Sequence, residues 1–199
     1  MQTTEPGINT QLTDSPLRLW TVADYYRMAE TGILSADDRV ELVAGQIIRK
    51  MSPQGIPHAL AITLSRRVID DRLNHQVLVR VQLPIRLSNY SEPEPDISVV
   101  MPDELRYVDH HPSPSEVYWL IEIADITLKI DCGLKAQDSA QSAIADYWVL
   151  NLKQRQLHIF REPNSEGYQS IVVLAADATI SPLQFPALSI QVQELLPPV

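Results

Sequence analysis

Two acidic residues lie in the most apolar stretches of the chain, and they limit the folds that it can adopt. Asp96 opens the run 97–100, and Glu122 interrupts the run 118–124. Both runs are typical of buried strands. An ionised carboxylate inside a sheet costs several kcal/mol unless it is paired or binds a cation. The fold must therefore supply each acid with a cation or an arginine partner, or leave it solvated at a strand end.

The composition predicts one globular domain. The chain has 199 residues, of which 45% are hydrophobic and 21% charged, and one domain of this length can bury a core. We expect a flexible tail over residues 1–18 and a single domain over residues 19–199. No apolar run approaches the roughly 20 residues that cross a bilayer, and the polar N-terminus lacks the pattern of a secretory signal.

The single cysteine, Cys132, excludes an intramolecular disulfide and a thiolate metal site, and it suits a cytoplasmic location. The net charge of −9 argues against a surface that attracts nucleic acid everywhere. A basic region confined to one cleft, or bound cations that offset clustered carboxylates, would reconcile this charge with a nucleic-acid substrate.

Hydrophobic periodicity and turn residues predict helices alternating with strands. A capping box at Thr21 begins the first helix, and an Ala44-Gly45 turn joins the strands of a hairpin. Further helices are predicted over 58–74 and 134–145, and further strands over 77–82, 96–101, 117–124, 147–150, 156–160 and 167–175. This order predicts an α/β or α+β domain with a mixed central β-sheet flanked by helices and preceded by an N-terminal helix and a β-hairpin.

Five segments, in this order, resemble the Uma family of proposed endonucleases: Asp38-Arg39-Val40-Glu41-Leu42, Glu92-Pro93-Glu94-Pro95-Asp96-Ile97-Ser98-Val99, Ile121-Glu122-Ile123-Ala124-Asp125, Asp131-Cys132-Gly133-Leu134-Lys135 and Asp146-Tyr147-Trp148-Val149. That family belongs to the restriction endonuclease-like, PD-(D/E)XK superfamily. The similarity extends from about Leu19 to about Leu196. It implies a restriction endonuclease-like core.

The resemblance also implies a metal site. Asp96 would be the acid of the PD motif and Glu122 the acid of the following strand, and together they would bind Mg²⁺ or Mn²⁺. The backbone carbonyl of Ile123 and the upstream acid Glu41 would complete the ligand set. Carboxylate and carbonyl oxygens are the ligands that such hard cations prefer.

The superfamily's usual lysine, two residues after the glutamate, is replaced here by Ala124. The family pattern indicates Lys135 on the following helix as its substitute, with Lys129 as the second choice. Gln82 resembles a position that could orient a water molecule or a phosphate oxygen, although it could instead cap a strand. His58 could contact the substrate or make a structural bond, and Asp131 is expected to cap the helix that carries Lys135.

These residues together imply a Mg²⁺-dependent endonuclease that hydrolyses DNA and acts, by family analogy, as a homodimer. An alternative is a nuclease-like fold that has lost catalysis and binds nucleic acid or a protein. A third hypothesis is an oligomeric structural protein in which the buried acids make only internal pairs. Cleavage assays and metal titration separate these three hypotheses.

Overall fold

The computed structural model describes residues 17–50, 55–102 and 104–198. Residues 1–16 of the expected tail lie outside this part. Its helices are α1 (Val22–Glu30), α2 (Ile56–Leu73), α3 (Leu128–Ile130) and α4 (Ala136–Gln141), and a π-helical turn (Asp131–Lys135) joins the last two. Its strands are β1 (Val40–Val43), β2 (Gln46–Arg49), β3 (Leu78–Val81), β4 (Ile97–Val100), β5 (Val117–Ala124), β6 (Asp146–Asn151), β7 (Gln156–Asn164), β8 (Gly167–Ala175), β9 (Thr179–Ile180) and β10 (Ile190–Gln191).

A six-stranded mixed sheet in the order β3-β4-β5-β6-β7-β8 forms the centre of the fold. Strands β5 and β6 are parallel, and the segment containing α3 and α4 connects them. All other neighbouring strands in this sheet are antiparallel. The predicted mixed α+β architecture with helices flanking a central sheet is confirmed.

Each face of the sheet packs against its own hydrophobic cluster. Ile97 and Ile121 lie in the cluster that also contains α2 residues and the C-terminal segment. Leu120 and Ala124 lie in the opposite cluster, with Ala136 and Ala140 of the α4 segment. Because side chains alternate along a strand, Glu122 lies on the α4 face between Leu120 and Ala124.

The N-terminal helix and the hairpin form as predicted. The Thr21 hydroxyl accepts a hydrogen bond from the backbone N–H of Asp24, and the Asp24 carboxylate accepts one from the backbone N–H of Thr21, so the capping box is complete. Strands β1 and β2 join through Ala44 and Gly45, whose φ angles are 49° and 75°. A side chain at Gly45 would approach the Leu19 Cβ to 2.6 Å, so this position requires glycine both for its backbone and for its space.

The third helix differs from its prediction. It was expected over 134–145, but helical structure starts at Leu128 and stops at Gln141. Ala143 has a φ of 60°, a left-handed conformation that ends the helix before β6. The Leu128 start and the π-helical turn bring Lys135 onto the sheet face that carries Glu122. Among the described residues, no helix is long and apolar enough to span a membrane.

Candidate active site

Strand register places Asp96 opposite Glu122. Ile97 of β4 pairs with Ile121 of β5, so one further step along each strand brings the two acids together. The backbone N–H of Asp96 donates to Glu122 Oε2 at 3.3 Å, and the backbone N–H of Ile123 donates to Asp96 Oδ2 at 2.9 Å. The two carboxyl groups therefore lie in one cleft.

Lys135 brings an ammonium group to the same cleft. Its Nζ lies 3.1 Å from Glu122 Oε1 and 2.8 Å from Glu41 Oε1. Only 8% of Lys135 and 4% of Glu122 are exposed, so these charges meet away from bulk water. The π-helical turn ends at Lys135, and such turns are rare and often occur at functional sites.

The hairpin supplies the third carboxylate. Glu41 lies on β1, is buried, and accepts a hydrogen bond at Oε2 from the backbone N–H of Glu94 at 2.9 Å. This bond fixes one oxygen of Glu41, and its other oxygen contacts Lys135. The hairpin thus positions an acid that is 55 residues upstream of Asp96 in the chain, by subtraction of the two residue numbers.

His58 and Gln82 both bond to Asp96. His58 Nε2 lies 3.1 Å from Asp96 Oδ1, and Gln82 Nε2 donates to the same oxygen at 3.1 Å. Gln82 has a φ of 50°, which turns the chain just after β3. These contacts suit residues that orient the Asp96 carboxylate.

Asp131 was expected to cap a helix, and that expectation is wrong. Ile130 is the residue before the π-helical turn, and no side chain caps that turn. The Asp131 carboxylate is instead buried, and its Oδ1 lies 3.9 Å from Lys135 Nζ. The sequence contained a signal for this contact, because the two residues are four positions apart, a spacing that brings side chains together on a helix.

Burial, together with the clustered charges, shifts the pKa values of the residues in this site. Burial raises the pKa of Glu122 to about 8 even though Lys135 opposes the shift, and burial also raises the pKa of Asp131 to about 6. Burial alone would lower the pKa of Lys135, but the carboxylates of Glu122, Glu41 and Asp131 outweigh it and raise that pKa.

Asp96 behaves differently. Burial raises its pKa, but His58, the backbone N–H of Ile123 and Gln82 outweigh burial and hold the pKa below its ordinary value. For His58, burial lowers the pKa, and the Asp96 carboxylate reverses this effect and raises it. Asp96 is therefore an ionised ligand candidate over most of the pH range.

A cavity of about 690 Å³ contains this cluster. Its lining also includes Ile123 and four basic residues: Arg39, Arg49, Lys50 and Lys129. Lys129 is exposed, and Lys50 pairs with Glu94 at 2.7 Å. The arginines were not singled out from the sequence, because the cavity gathers residues from separate segments of an acidic chain.

The donor set fits a hard divalent cation. Four carboxylates, those of Glu41, Asp96, Glu122 and Asp131, meet one lysine ammonium and His58. Two cations at most face four carboxyl groups, and a bound divalent ion would offset the charge of these groups when they ionise. Among the described residues, no group of three or more His, Cys, Asp or Glu side chains is arranged closely enough to bind one ion. Lys135 lies between Glu41 and Glu122.

The family match places this fold in the restriction endonuclease-like class. The family model described as "Putative restriction endonuclease", Uma2, matches residues 22–193. The chain therefore belongs to the Uma2 family.

Comparison with solved structures supports the same fold. A crystal structure described as a "putative nuclease belonging to DUF820" from Anabaena variabilis is similar, with a TM-score of 0.67 and 17% sequence identity. The match covers 88% of this chain and 96% of that chain. A search of the curated proteins found no match.

If Glu122 is a metal ligand, its raised pKa predicts that metal affinity increases with pH. Ligand carboxylates must be ionised, so binding releases a proton wherever Glu122 is protonated. Between pH 6 and the pKa of about 8, we expect Mn²⁺ affinity to increase by up to about tenfold per pH unit. Calorimetry at pH 6, 7 and 8, in two buffers of different ionisation enthalpy, measures both the affinity and the released protons. An affinity independent of pH would contradict this prediction.

The same shift makes the metal-free protein less stable as pH rises. The native state holds the Glu122 proton above the ordinary carboxyl pKa, so unfolding releases it. The stability that protonated Glu122 contributes is fully present below the ordinary pKa of a glutamate carboxyl group. It is lost as pH rises through about 8, the pKa of Glu122 in the folded protein.

Proposed function

We propose that this protein is a metal-dependent endonuclease that hydrolyses phosphodiester bonds of DNA. The observation that carries the proposal is the meeting of Asp96, Glu122 and Glu41 with the Lys135 ammonium in one cavity. Membership of the Uma2 family supports a nuclease. DNA as the substrate and Mg²⁺ or Mn²⁺ as the cofactor are parts of the proposal.

Asp96, Glu122, Glu41 and the Ile123 carbonyl would hold the cation. A bound Mg²⁺ or Mn²⁺ supplies a polarised phosphoryl oxygen and a water of lowered pKa. His58 and Gln82 orient Asp96 through its Oδ1. Lys135 would stabilise the charge that builds up on the phosphoryl oxygens during hydrolysis.

The basic residues around the cavity give the DNA backbone a place to bind on an otherwise acidic protein. Arg39, Arg49 and Lys129 are exposed, and all three line the cavity. Phosphate contacts by such residues supply affinity without reading sequence. The net charge of −9 then limits binding elsewhere on the surface.

We expect Lys129→Gln to weaken DNA binding and to reduce the slope of log affinity against log salt concentration by about 1, because one phosphate contact is lost. Fluorescence anisotropy with a labelled duplex at several salt concentrations measures both quantities. Arg67→Gln is the matched control, since Arg67 is exposed on α2 and does not line the cavity. Equal salt slopes for Lys129→Gln and the control would exclude Lys129 from the DNA interface.

The activity itself is tested with duplex DNA, single-stranded DNA and RNA, each incubated with Mg²⁺, Mn²⁺ or a chelator. We expect internal cuts in DNA that require the metal. Metal binding and DNA binding without cleavage would favour the alternative, a catalytically inactive nuclease-like binding module. One observation favours that alternative: Ala124 is fully buried at the position where the superfamily has its lysine.

We further propose a homodimer that forms through β8. This strand is at the edge of the six-stranded sheet, has nine residues and carries no charge. Ile171, Val172 and Val173 are exposed on it. Natural edge strands usually carry charges or proline that prevent pairing, and an uncharged strand can pair with its own copy without repulsion.

A cytoplasmic location remains a prediction based on the single cysteine.

Val172→Lys should shift the protein from dimer to monomer, because the two copies would place lysines close together. Light scattering coupled to size-exclusion chromatography measures the mass of each variant. Ile33→Lys is the matched control, since Ile33 is an exposed aliphatic residue outside the sheet. A monomeric wild-type protein, or a dimer that persists in Val172→Lys, would contradict the β8 interface.

A further inference from the structure

Lys135 lies where a cation bound between Glu41 and Glu122 would lie. Its Nζ is 2.8 Å from Glu41 Oε1 and 3.1 Å from Glu122 Oε1, so both carboxylates direct an oxygen at the same ammonium. A buried ammonium and a divalent ion cannot share these oxygens without strong repulsion. Lys135 must therefore leave at least one of them when the ion binds.

An ammonium that loses its partners inside the protein needs a new one. Leaving a buried charge unpaired is strongly unfavourable, and Lys135 is 8% exposed. Lys135 lies on a helical segment packed against the sheet and lines the cavity, so a partner near its present position limits the movement that its side chain must make. The cost of displacing Lys135 becomes part of the cost of binding the metal.

Asp131 is placed to receive the displaced ammonium. Among the described residues, three carboxylates form ion pairs with Lys135 Nζ, and Asp131 is the most distant of them at 3.9 Å. A shift of about 1 Å would bring this pair to hydrogen-bond distance. Asp131 is itself buried and lies one helical turn from Lys135.

The other nearby acids already have partners. Asp96 accepts bonds from His58, Gln82 and the Ile123 backbone. Glu94 pairs with Lys50. For Asp131, Thr127 bonds to the side chain, and that carboxylate retains further acceptor capacity.

We propose that Asp131 is a positioning residue that takes over the Lys135 ammonium when a divalent cation binds between Glu41 and Glu122. The inference rests on the proposed function, because it requires metal binding at that site. Lys135 thus has two states: counter-ion of Glu41 and Glu122 without metal, and partner of Asp131 with metal. Asp131 lowers the cost of the exchange and keeps Lys135 beside the reacting phosphate.

A double-mutant cycle on Mn²⁺ affinity tests this exchange. Asp131→Asn should weaken Mn²⁺ binding about tenfold in the wild-type background, because the displaced ammonium has lost its new partner. In the Lys135→Met background no ammonium is displaced, so the same change should weaken binding by no more than about threefold. Isothermal calorimetry at one pH and salt concentration gives all four dissociation constants.

Asp125→Asn is the matched control, since Asp125 lines the same cavity and forms its ion pair with Lys153 rather than Lys135. It removes one negative charge and should weaken binding equally in both backgrounds. Circular dichroism verifies folding, and Lys135→Gln replaces Lys135→Met if the latter does not fold.

The outcomes separate the two proposals. An equal effect of Asp131→Asn in both backgrounds, with Mn²⁺ still bound by the wild type, overturns the exchange and leaves the metal-dependent nuclease intact. A wild-type protein that binds no Mn²⁺ overturns both. A larger effect in the wild-type background, together with equal effects of Asp125→Asn, supports the exchange.

Discussion

Glu122→Gln and Asp96→Asn should each reduce metal-dependent DNA cleavage by at least about 100-fold, because each change removes an anionic ligand from the cation. Both amides nearly match the shape of the acids they replace. Glu122→Gln should also leave the metal-free fold at least as stable above neutral pH, since burial makes ionisation of Glu122 unfavourable. Single-turnover cleavage and thermal unfolding, each with and without Mn²⁺, measure these effects.

Asp125→Asn is the control for both variants, because it removes a carboxylate that lines the same cavity without bonding to Asp96 or Glu122. It should retain most of the activity and the stabilisation by Mn²⁺. Cleavage that persists in Glu122→Gln or Asp96→Asn at the wild-type rate would show that the reaction occurs elsewhere, or that a contaminating nuclease performs it.

Lys135→Met should affect both catalysis and stability. Removing the one ammonium that Glu41 and Glu122 share leaves two buried carboxyl groups with backbone hydrogen bonds but no cationic partner, which costs about 3 kcal/mol or more of metal-free stability. Cleavage should fall about 10²–10³-fold, because the charge on the phosphoryl oxygens loses a fixed donor. Mn²⁺ should stabilise Lys135→Met more than it stabilises the wild type, since no ammonium competes for the carboxylates.

Lys135→Arg separates charge from geometry in this prediction. It keeps a cation near Glu41 and Glu122 and should preserve more of the stability than Lys135→Met, but its planar group should not restore full cleavage. Denaturant unfolding without metal and single-turnover cleavage with metal give the two quantities. A Lys135→Met protein as stable and as active as the wild type would remove Lys135 from the site.

The sequence predicted the acids of the site better than their surroundings. Asp96 and Glu122 could be found because a carboxylate is conspicuous in an apolar strand. Their direct opposition depends on the register of β4 with β5, and period-two patterning indicates the face of a residue but not its cross-strand partner. Lys135 came from the family resemblance.

Asp131 shows a role that the sequence indicated only in part, because its four-residue spacing from Lys135 was visible but the course of the helical segment was not. Aspartate near the start of a predicted helix favours a capping role, but the helical segment begins three residues earlier, at Leu128. This extension turns Asp131 inward, and the π-helical turn sets its distance to Lys135. Such a turn depends on tertiary packing, which local propensity does not encode.

The basic residues at the cavity show the same difference between local and tertiary information. The sequence left open whether an acidic chain could have a local basic region. Arg39 and Arg49 belong to the hairpin segment and Lys129 to α3, and only the folded chain places them around one cavity.

A crystal soaked with Mn²⁺ and measured for anomalous scattering tests the central claim most directly. We expect one anomalous peak at ligand distance, about 2.0–2.3 Å, from oxygens of Asp96 and Glu122. Lys135 Nζ should then lie farther from Glu41 or Glu122 than the 2.8 Å and 3.1 Å of the metal-free arrangement. Full Mn²⁺ occupancy at another position, with Lys135 still bridging Glu41 and Glu122, would contradict a metal site at these carboxylates.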